Sequence, residues 1–405
     1  MSTWGPMAAA AGSAGSAGSA GSAGSAGSAG SAGSSAPVIG LDGGVGLPGY
    51  SGLFPNPMLA NSLITARELL LAGSASEAYQ QPWAQENVPA AFRTELEISD
   101  KSISRLQPNV RAALCEMELL SGSTWTCKDL VADWQVSGKS VVKLSRPDQK
   151  IFMAQLKVVQ SYSDLRAERT NEILAQVVPQ SAGWAAIAGL TPERHRYTWE
   201  LIGIGLRFAM MQVMQFKGRL DCPRPSEYGA TIQPMILTPG YAAYPSGHAT
   251  EAFFIAELLP LLVEEARKTP PTTATTLKWG KETDCDRRTL RSQLHRFAYR
   301  VAENRVVAGL HFPIDAIAGE LLGAVAARHV AWCCGVLGAR PIENSKYEPG
   351  PETEDWKSIQ TTKYEPMLDH WLSCGISAGA PMSSPPARSC EHLKWLWSKV
   401  KEEVV

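Results

Sequence analysis

The most informative absence in this sequence is that of a long uninterrupted apolar run. The two best stretches, residues 201–216 and 316–338, are broken by charged side chains, and neither offers about 20 apolar residues in succession. The N-terminus also lacks the basic region and the long apolar region that together mark a secretory signal. We therefore expect a soluble, cytoplasmic protein that does not bind membranes.

Cysteine spacing and net charge argue against a zinc site, a disulfide framework and a nucleic-acid partner. The chain has 8 cysteines but no Cys-x-x-C pair, which favours reduced thiols. The formal net charge is −1, so no overall basic field attracts nucleic acid. Hydrophobic residues make up 44% and charged residues 19% of the 405 positions, which is typical of a globular chain with a sizeable core.

Composition divides the chain into three parts. Residues 12–32 are Gly-Ser-Ala triplets, and residues 36–60 are rich in glycine and proline, so neither stretch can bury much apolar surface. We therefore predict a disordered tail and extended arm over residues 1–56. Helical periodicity follows, which predicts an all-α domain over residues 57–340. Residues 341–405 are predicted to be a loop-rich extension that ends in a short amphipathic helix.

Strand-like alternation and tight Asn-Gly turns are scarce, whereas apolar residues recur at helical spacing over long stretches. This pattern predicts an all-α fold, a bundle of long helices. The predicted helices are 151–178, which stops at Pro179; 191–216, which opens with Thr191 as cap and Pro192 as first helical residue; 284–308; 314–336; and 389–401.

Three basic or histidine-bearing segments are the candidates for chemistry, and the first is FKGRLDCPRPSEY. Lys217 lies near the end of a predicted helix, and the prolines at 223 and 225 hold Arg224 in a stiff loop beyond it. Two cations placed in this way can converge on one anion. For this segment alone, a solvated basic helix end that suits the helix dipole is the favoured explanation.

The second segment, YPSGHAT at residues 244–250, lies where a helix is predicted to begin. Ser246 can cap the helix, and Gly247 lets an oxyanion approach the free backbone N–H groups closely. His248 beside this anion site could move protons. Helix capping without any chemistry explains the tetrapeptide equally well.

The third segment is ENRVVAGLHFPIDAIAGE, in which Arg305 is predicted to end a helix that Gly309 breaks. Pro313 suits the first turn of the next helix, and Asp315 follows His311 at i+4. This spacing can bring the carboxylate to one imidazole nitrogen and make the other nitrogen a better ligand or nucleophile. A helix-start carboxylate beside a buried neutral histidine is the simpler explanation for an isolated pair.

Taken together, the segments read K-x6-R-P, then P-S-G-H, then R-x5-H-x3-D. This order and spacing resemble the three-part signature of the type 2 phosphatidic acid phosphatase and vanadium haloperoxidase superfamily. The resemblance covers roughly residues 217–315 and leaves the N-terminal repeat and the C-terminal extension uncovered. It implies an all-α fold, a long-helix bundle of the vanadium haloperoxidase and acid phosphatase type.

The resemblance also implies an oxyanion cage. In such a cage Lys217, Arg224 and Arg305 would neutralise the oxygens of one bound phosphate or vanadate per chain. The Ser246 hydroxyl and the Gly247 N–H would assist them.

The histidines take different roles in this family. By resemblance, His311 would bond to the vanadium of vanadate in a haloperoxidase, or attack phosphorus in a phosphatase. His248 would be the acid–base group on the opposite side, and Asp315 would complete the catalytic set.

Two residues depart from the family pattern. Tyr241 stands seven residues before His248, where the haloperoxidases usually have phenylalanine or histidine, and it is a candidate for the halide or substrate pocket. Asn304 stands where serine usually precedes Arg305, and we expect it to affect a contact around the cage rather than the cage itself. The sequence TPGYAAYPSGHAT nevertheless resembles the haloperoxidases more than the phosphatases.

The leading hypothesis is a vanadate-dependent haloperoxidase that uses hydrogen peroxide to oxidise bromide or chloride, with a small organic molecule as a further acceptor. The alternative is a soluble acid phosphatase that forms a phosphohistidine at His311. A third hypothesis, a non-catalytic oxyanion-binding scaffold, is disfavoured because simple anion binding does not need His248, His311 and Asp315 together. The family and the amphipathic C-terminal helix also favour a homodimer.

Overall fold

The computed structural model describes residues 100–177, 180–267, 290–336, 339–341, 343–349, 376–377, 382 and 390–404. The tail predicted for residues 1–56 lies outside these residues. Within them, the predicted all-α, long-helix fold is confirmed in outline. The helices are α1 Asp100–Ser104, α2 Pro108–Leu120, α3 Gln149–Ser161, α4 Arg166–Ala175, α5 Ser181–Ala188, α6 Arg196–Leu220, α7 Pro225–Tyr228, α8 Gly247–Ala266, α9 Leu290–Val307, α10 Pro313–Cys333 and α11 Glu391–Val404.

A small sheet accompanies the helices, so the expectation that strands are scarce is wrong for residues 123–145. Strands β1 Ser123–Lys128, β2 Val131–Val136 and β3 Lys139–Ser145 form an antiparallel meander. Strand β4 Ser345–Tyr347 pairs with β3 in parallel, and β5 Ile376–Ser377 pairs with β4 in antiparallel fashion. The C-terminal part of the chain therefore adds to a sheet that begins more than 200 residues earlier.

Both hairpin turns of the meander use two residues with positive φ. Asp129 and Leu130 have φ of 51° and 62°, and Ser137 and Gly138 have φ of 52° and 77°. Positive φ at both central positions is the geometry of the type I′ turn, which matches the twist of the strands. Neither turn carries the Asn-Gly pair that would reveal it in the sequence, which is why the strands were missed.

Two long helices, α8 and α10, cross so closely that no side chain fits between their backbones. A Cβ atom at Gly323 would lie 2.3 Å from the Thr250 carbonyl oxygen, and one at Gly319 would lie 2.7 Å from the Ser246 carbonyl oxygen. Glycine at these positions lets the two helices touch through main-chain atoms. The contact fixes the first turn of α8 against α10.

The start of α6 is capped from a distant part of the chain. The predicted start at Thr191 and Pro192 is wrong, because α6 begins at Arg196 and residues 191–195 form a turn. The Glu403 carboxylate accepts hydrogen bonds from the Tyr197 N–H at 2.7 Å and from the Thr198 N–H at 2.8 Å. A carboxylate at this end satisfies free N–H groups and suits the helix dipole.

Other predicted helix bounds differ in detail. The helix predicted over 151–178 is divided into α3 and α4 by a 3₁₀ turn at Tyr162–Leu165. The predicted helices at 314–336 and 389–401 correspond to α10 and α11, which are shifted by a few residues. Four tryptophans of these helices are buried; they are Trp199, Trp332, Trp395 and Trp397.

No helix in the described residues is both long and apolar enough to cross a membrane.

We predict that Gly323→Ala lowers the free energy of unfolding by about 1–3 kcal/mol, because the new methyl group must push the two helix backbones apart. Denaturant unfolding monitored by circular dichroism measures this change. Gly218→Ala is the matched control, since Gly218 lies in α6 with no atom within 4 Å of an added Cβ. That substitution should stabilise by at most about 1 kcal/mol. Equal effects of the two substitutions would contradict the packing argument.

We also predict that Glu403→Gln destabilises the fold by about 1 kcal/mol, since an uncharged amide caps α6 less well than a carboxylate. The same unfolding experiment measures it. Glu402→Gln is the control, because exposed Glu402 contacts only the Lys399 amino group, at 3.4 Å. A loss of the same size in both variants would show that the cap contributes nothing specific.

Candidate active site

All of the site residues predicted from the sequence lie together at one end of the helical core. Lys217 comes from the last turn of α6, and Arg305 comes from the last turn of α9. Gly309, with φ of 76°, turns the chain after α9, so that His311 precedes α10. The remaining members are in the loop between α6 and α8, at the start of α8 and in the first turn of α10; they are Arg224, Tyr241, Ser246, Gly247, His248 and Asp315.

His311 is held between a carboxylate and a guanidinium. Its Nδ1 lies 3.0 Å from Asp315 Oδ2, and its Nε2 lies 3.1 Å from Arg224 Nη1. A guanidinium can only donate, so Nε2 must be the accepting nitrogen and Nδ1 must carry the proton. The Nε2 lone pair of His311 therefore points into the cluster of cations. This is the nitrogen that a nucleophile or a ligand needs.

Burial and charge shift the pKa values of this pair. Burial, together with the positive charges of Arg224 and Lys217, lowers the pKa of His311 well below its ordinary value. Burial raises the pKa of Asp315 to about 7, against the Phe312 N–H, which donates to Oδ2 at 2.9 Å. His311 is consequently a neutral imidazole at neutral pH.

Within the described residues, the two arginines keep guanidinium N–H groups that have no hydrogen-bond partner. Arg224 Nε donates to the Tyr241 carbonyl at 3.0 Å, and Arg305 Nη2 donates to the Ile173 carbonyl at 3.1 Å. Arg224 Nη2, Arg305 Nε and Arg305 Nη1 are buried and make no hydrogen bond to any described residue. Burial lowers the pKa of Arg305 to about 10, which still leaves it positive at neutral pH. Buried donors of this kind need an acceptor, and the part of the chain that the structure describes does not supply one.

Lys217 adds the third cation and is covered by an aromatic ring. Its Nζ donates to the carbonyls of Ala242 and Ala243 at 2.6 and 2.7 Å. The Tyr241 ring centroid lies 5.3 Å from Lys217 Nζ and 5.4 Å from Arg224 Cζ. Tyr241 is thus an aromatic wall beside two of the cations. Burial and the neighbouring Arg224 charge lower the pKa of Lys217 well below its ordinary value.

The start of α8 is locked to α10 beside the cage. Ser246 is the cap residue, and its Oγ accepts from the Ala249 N–H at 3.4 Å. The Ser246 N–H donates to the Asp315 carbonyl at 2.8 Å. Gly247 begins the helix, so its N–H belongs to the first turn and has no partner within the helix. Ser246 can therefore cap α8 while the Gly247 N–H remains available to an anion.

His248 occupies the side of the cage next to the end of α4. Its Nε2 lies 2.9 Å from the Gln176 carbonyl oxygen, which can only accept, so Nε2 carries the proton and the lone pair lies on Nδ1. Burial and the charge of Arg305 lower the pKa of His248 to about 3, against the carbonyls of Gln176 and Val177. His248 is therefore a neutral ring at neutral pH, with its lone pair on Nδ1.

These features fit a tetrahedral oxyanion such as vanadate or phosphate. Three buried cations surround an imidazole lone pair, and buried N–H groups of two arginines await acceptors. Among the described residues, no group of three or more His, Cys, Asp or Glu side chains is placed to hold a metal cation. The three cations and the buried arginine N–H groups therefore suit a bound anion.

Sequence reasoning missed Gln176, which contacts both His248 and Arg305. The only signal in the sequence is the spacing of Arg169, Glu172 and Gln176, which puts three polar residues on one face of a helix. Asn304 was expected to act around the cage, and it does contact Gln176, at 3.0 Å.

Residues to which the three motifs assign no role have other surroundings. Cys222, which lies within the first segment, is buried, and its Sγ lies 3.6 Å from the Leu220 carbonyl oxygen. His329 is buried between Trp134 and Phe208. His370 lies outside the described residues.

Comparison with known proteins identifies the family of this region. Residues 197–337 match the model of the PAP2 superfamily, which includes vanadium haloperoxidases and phosphatases. The matched range contains α6 to α10 and every cage residue predicted from the sequence. No curated protein matches the chain. The chain thus carries a PAP2 superfamily domain.

We predict that inorganic phosphate raises the pKa of His248, because an anion held by Arg305 and Arg224 offsets the charges that lower it. Nuclear magnetic resonance of labelled imidazole rings measures the pKa with and without phosphate. Without phosphate, the ring should remain neutral down to about pH 5; with phosphate, it should begin to protonate above that pH. Buried His329 is the internal control and should not respond. An identical titration of His248 under both conditions would contradict the assignment.

Proposed function

We propose that this protein is a vanadate-dependent haloperoxidase that converts halide, hydrogen peroxide and a proton into hypohalous acid and water. The observation that carries the proposal is the pair of oriented histidines within the cation cage. His311 offers a lone pair to the centre of the cage, and His248 offers one from the side next to α4. The first suits a ligand to vanadium, and the second suits a base for peroxide.

The proposed division of labour follows from the contacts. Lys217, Arg224 and Arg305 would hold the oxygens of vanadate, since their charges are fixed in place before the anion arrives. When bound, vanadate supplies the Lewis acidity that makes peroxide electrophilic towards halide. Asp315 keeps the proton of His311 on Nδ1, so that the lone pair that would bond to vanadium lies on Nε2.

The resting state of His248 is the reason for proposing the peroxidase rather than the phosphatase. A peroxidase needs a base that takes a proton from incoming hydrogen peroxide, whereas a phosphatase needs an acid that protonates the leaving alcohol. His248 is neutral at neutral pH and carries its lone pair on Nδ1, which is the form that the base requires. Tyr241 then forms the wall of the pocket where halide or a small organic acceptor would approach.

A soluble acid phosphatase is the second candidate, and the orientation of His311 is what supports it. A neutral imidazole whose Nδ1–H is held by a carboxylate is a suitable nucleophile for a phosphohistidine mechanism. A bound phosphate dianion would have to raise the pKa of His248 far enough for this ring to act as the acid.

The deciding experiment is an assay of the purified protein with and without orthovanadate. We predict that protein loaded with vanadate brominates a phenolic dye in the presence of peroxide and bromide, and that unloaded protein does not. His248→Ala should reduce the rate by about 10²–10⁴-fold, the usual contribution of an acid–base group. His311→Ala should abolish vanadate-dependent activity.

His195→Ala is the matched control, because His195 lies in the turn before α6 and contacts Thr191 rather than the cage. It should leave the rate unchanged. Phosphate-ester hydrolysis that needs no vanadate and is inhibited by vanadate would replace the haloperoxidase with the phosphatase. Unchanged activity of His311→Ala would overturn both enzymes and leave an anion-binding protein.

A further inference from the structure

Gln176, the residue that follows α4, contacts both the proposed base and one of the cage cations. Its main-chain carbonyl accepts from His248 Nε2 at 2.9 Å, and its side-chain Oε1 accepts from Arg305 Nη2 at 3.1 Å. Gln176 is 6% exposed, so water does not readily replace these contacts. One residue outside the matched family range thus touches two elements of the cage.

The orientation of the neighbouring Asn304 amide is fixed by charged groups. Arg169 Nη1 donates to Asn304 Oδ1 at 3.0 Å, and Asn304 Nδ2 donates to Glu172 Oε2 at 3.0 Å. Hydrogen bonds from Arg300 lower the pKa of Glu172 to about 2, so Glu172 is a carboxylate that only accepts. Since Arg169 only donates and Glu172 only accepts, the Asn304 amide has one possible orientation.

The fixed Asn304 amide in turn orients the Gln176 amide. Asn304 Nδ2 also donates to Gln176 Oε1, at 3.0 Å. With Oε1 held in this position, it is the acceptor and not the amide NH₂ group that faces Arg305. Arg169 and Glu172 therefore fix the direction of every hydrogen bond from Asn304 through Gln176 to Arg305.

This order decides which N–H groups of Arg305 remain for a ligand. Gln176 Oε1 and the Ile173 carbonyl both accept from Nη2, at 3.1 Å each. Nε and Nη1 of Arg305 are buried and make no hydrogen bond to any residue that the structure describes. The two acceptors on Nη2 fix the guanidinium plane of Arg305, and this leaves Nε and Nη1 available to a ligand.

We propose that Gln176 and Asn304 are positioning residues that fix the guanidinium of Arg305 for binding of a tetrahedral oxyanion. The inference rests on the oxyanion cage of the proposed function, but not on whether the cage serves peroxidase or phosphatase chemistry. The serine usual in the family at position 304 is shorter than asparagine and has a single hydroxyl. The contact to Gln176 therefore depends on asparagine at position 304, and the serine usual in the family would not make it.

The test is the dissociation constant of inorganic phosphate and of orthovanadate, measured by isothermal titration calorimetry on the full chain. Gln176→Met keeps the length of the side chain and removes its acceptor, so the Kd for both anions should rise about tenfold. Gln212→Met is the matched control: Gln212 is also buried, but its Oε1 accepts from Trp125 Nε1 and not from a cage residue. Its Kd should equal that of the wild type.

Asn304→Ser tests the hydrogen bond from Asn304 to Gln176. It remains informative if Gln176→Met does not fold. The shorter side chain cannot keep the 3.0 Å contact to Gln176, so the Kd should again rise. In the double variant, Asn304→Ser should add little to the effect of Gln176→Met, because the contact through which it acts is already lost. A purely structural role would instead give additive losses of stability without this coupling in Kd.

The possible outcomes distinguish failure of the proposed function from failure of the positioning role. Wild-type protein that binds phosphate but oxidises no halide removes the haloperoxidase and leaves the positioning role testable through Kd. Wild-type binding with an unchanged Kd in Gln176→Met or in Asn304→Ser overturns the positioning role alone, whatever happens to thermal stability. Wild-type protein that binds neither anion overturns the cage and the positioning role together.

Discussion

Burial of three positive side chains around one imidazole is the constraint on which the rest of this structure depends. Lys217, Arg224 and Arg305 are each almost fully buried, and Asp315 is the carboxylate whose charge acts on the first two of them. Charges buried in this way are stable only where hydrogen-bond acceptors surround them. Main-chain carbonyls provide most of these acceptors, which explains why loops and helix ends, rather than helix centres, line the cage.

The same constraint accounts for the closeness of α8 and α10. The starts of the two helices lie within hydrogen-bond distance of each other, as in the 2.8 Å contact between the Ser246 N–H and the Asp315 carbonyl. Glycines at 319 and 323 allow that approach, because any side chain there would meet the backbone of α8. The close packing of α8 against α10 therefore also sets the positions of the site residues at the starts of both helices.

The sequence predicted which residues lie together at the candidate site, but it did not predict the residues that surround them. Residues such as His311 and Asp315 lie four positions apart, so local spacing alone brings them together. Gln176 lies 129 residues from Arg305, and no local pattern joins them. The meander was missed because Asp129 and Leu130 adopt a turn geometry usually reserved for glycine and asparagine. The start of α6 was misplaced because its cap, Glu403, is equally remote.

That remote cap has a consequence for the order in which the molecule is assembled. The contact from Tyr197 to Glu403 spans 206 residues, so α6 must be synthesised long before the group that completes its first turn. Contacts between residues so far apart in sequence form slowly, because a large loop must close first. During synthesis, α6, the helix that carries Lys217, would therefore reach its final stability only after α11 has been made and has packed against it.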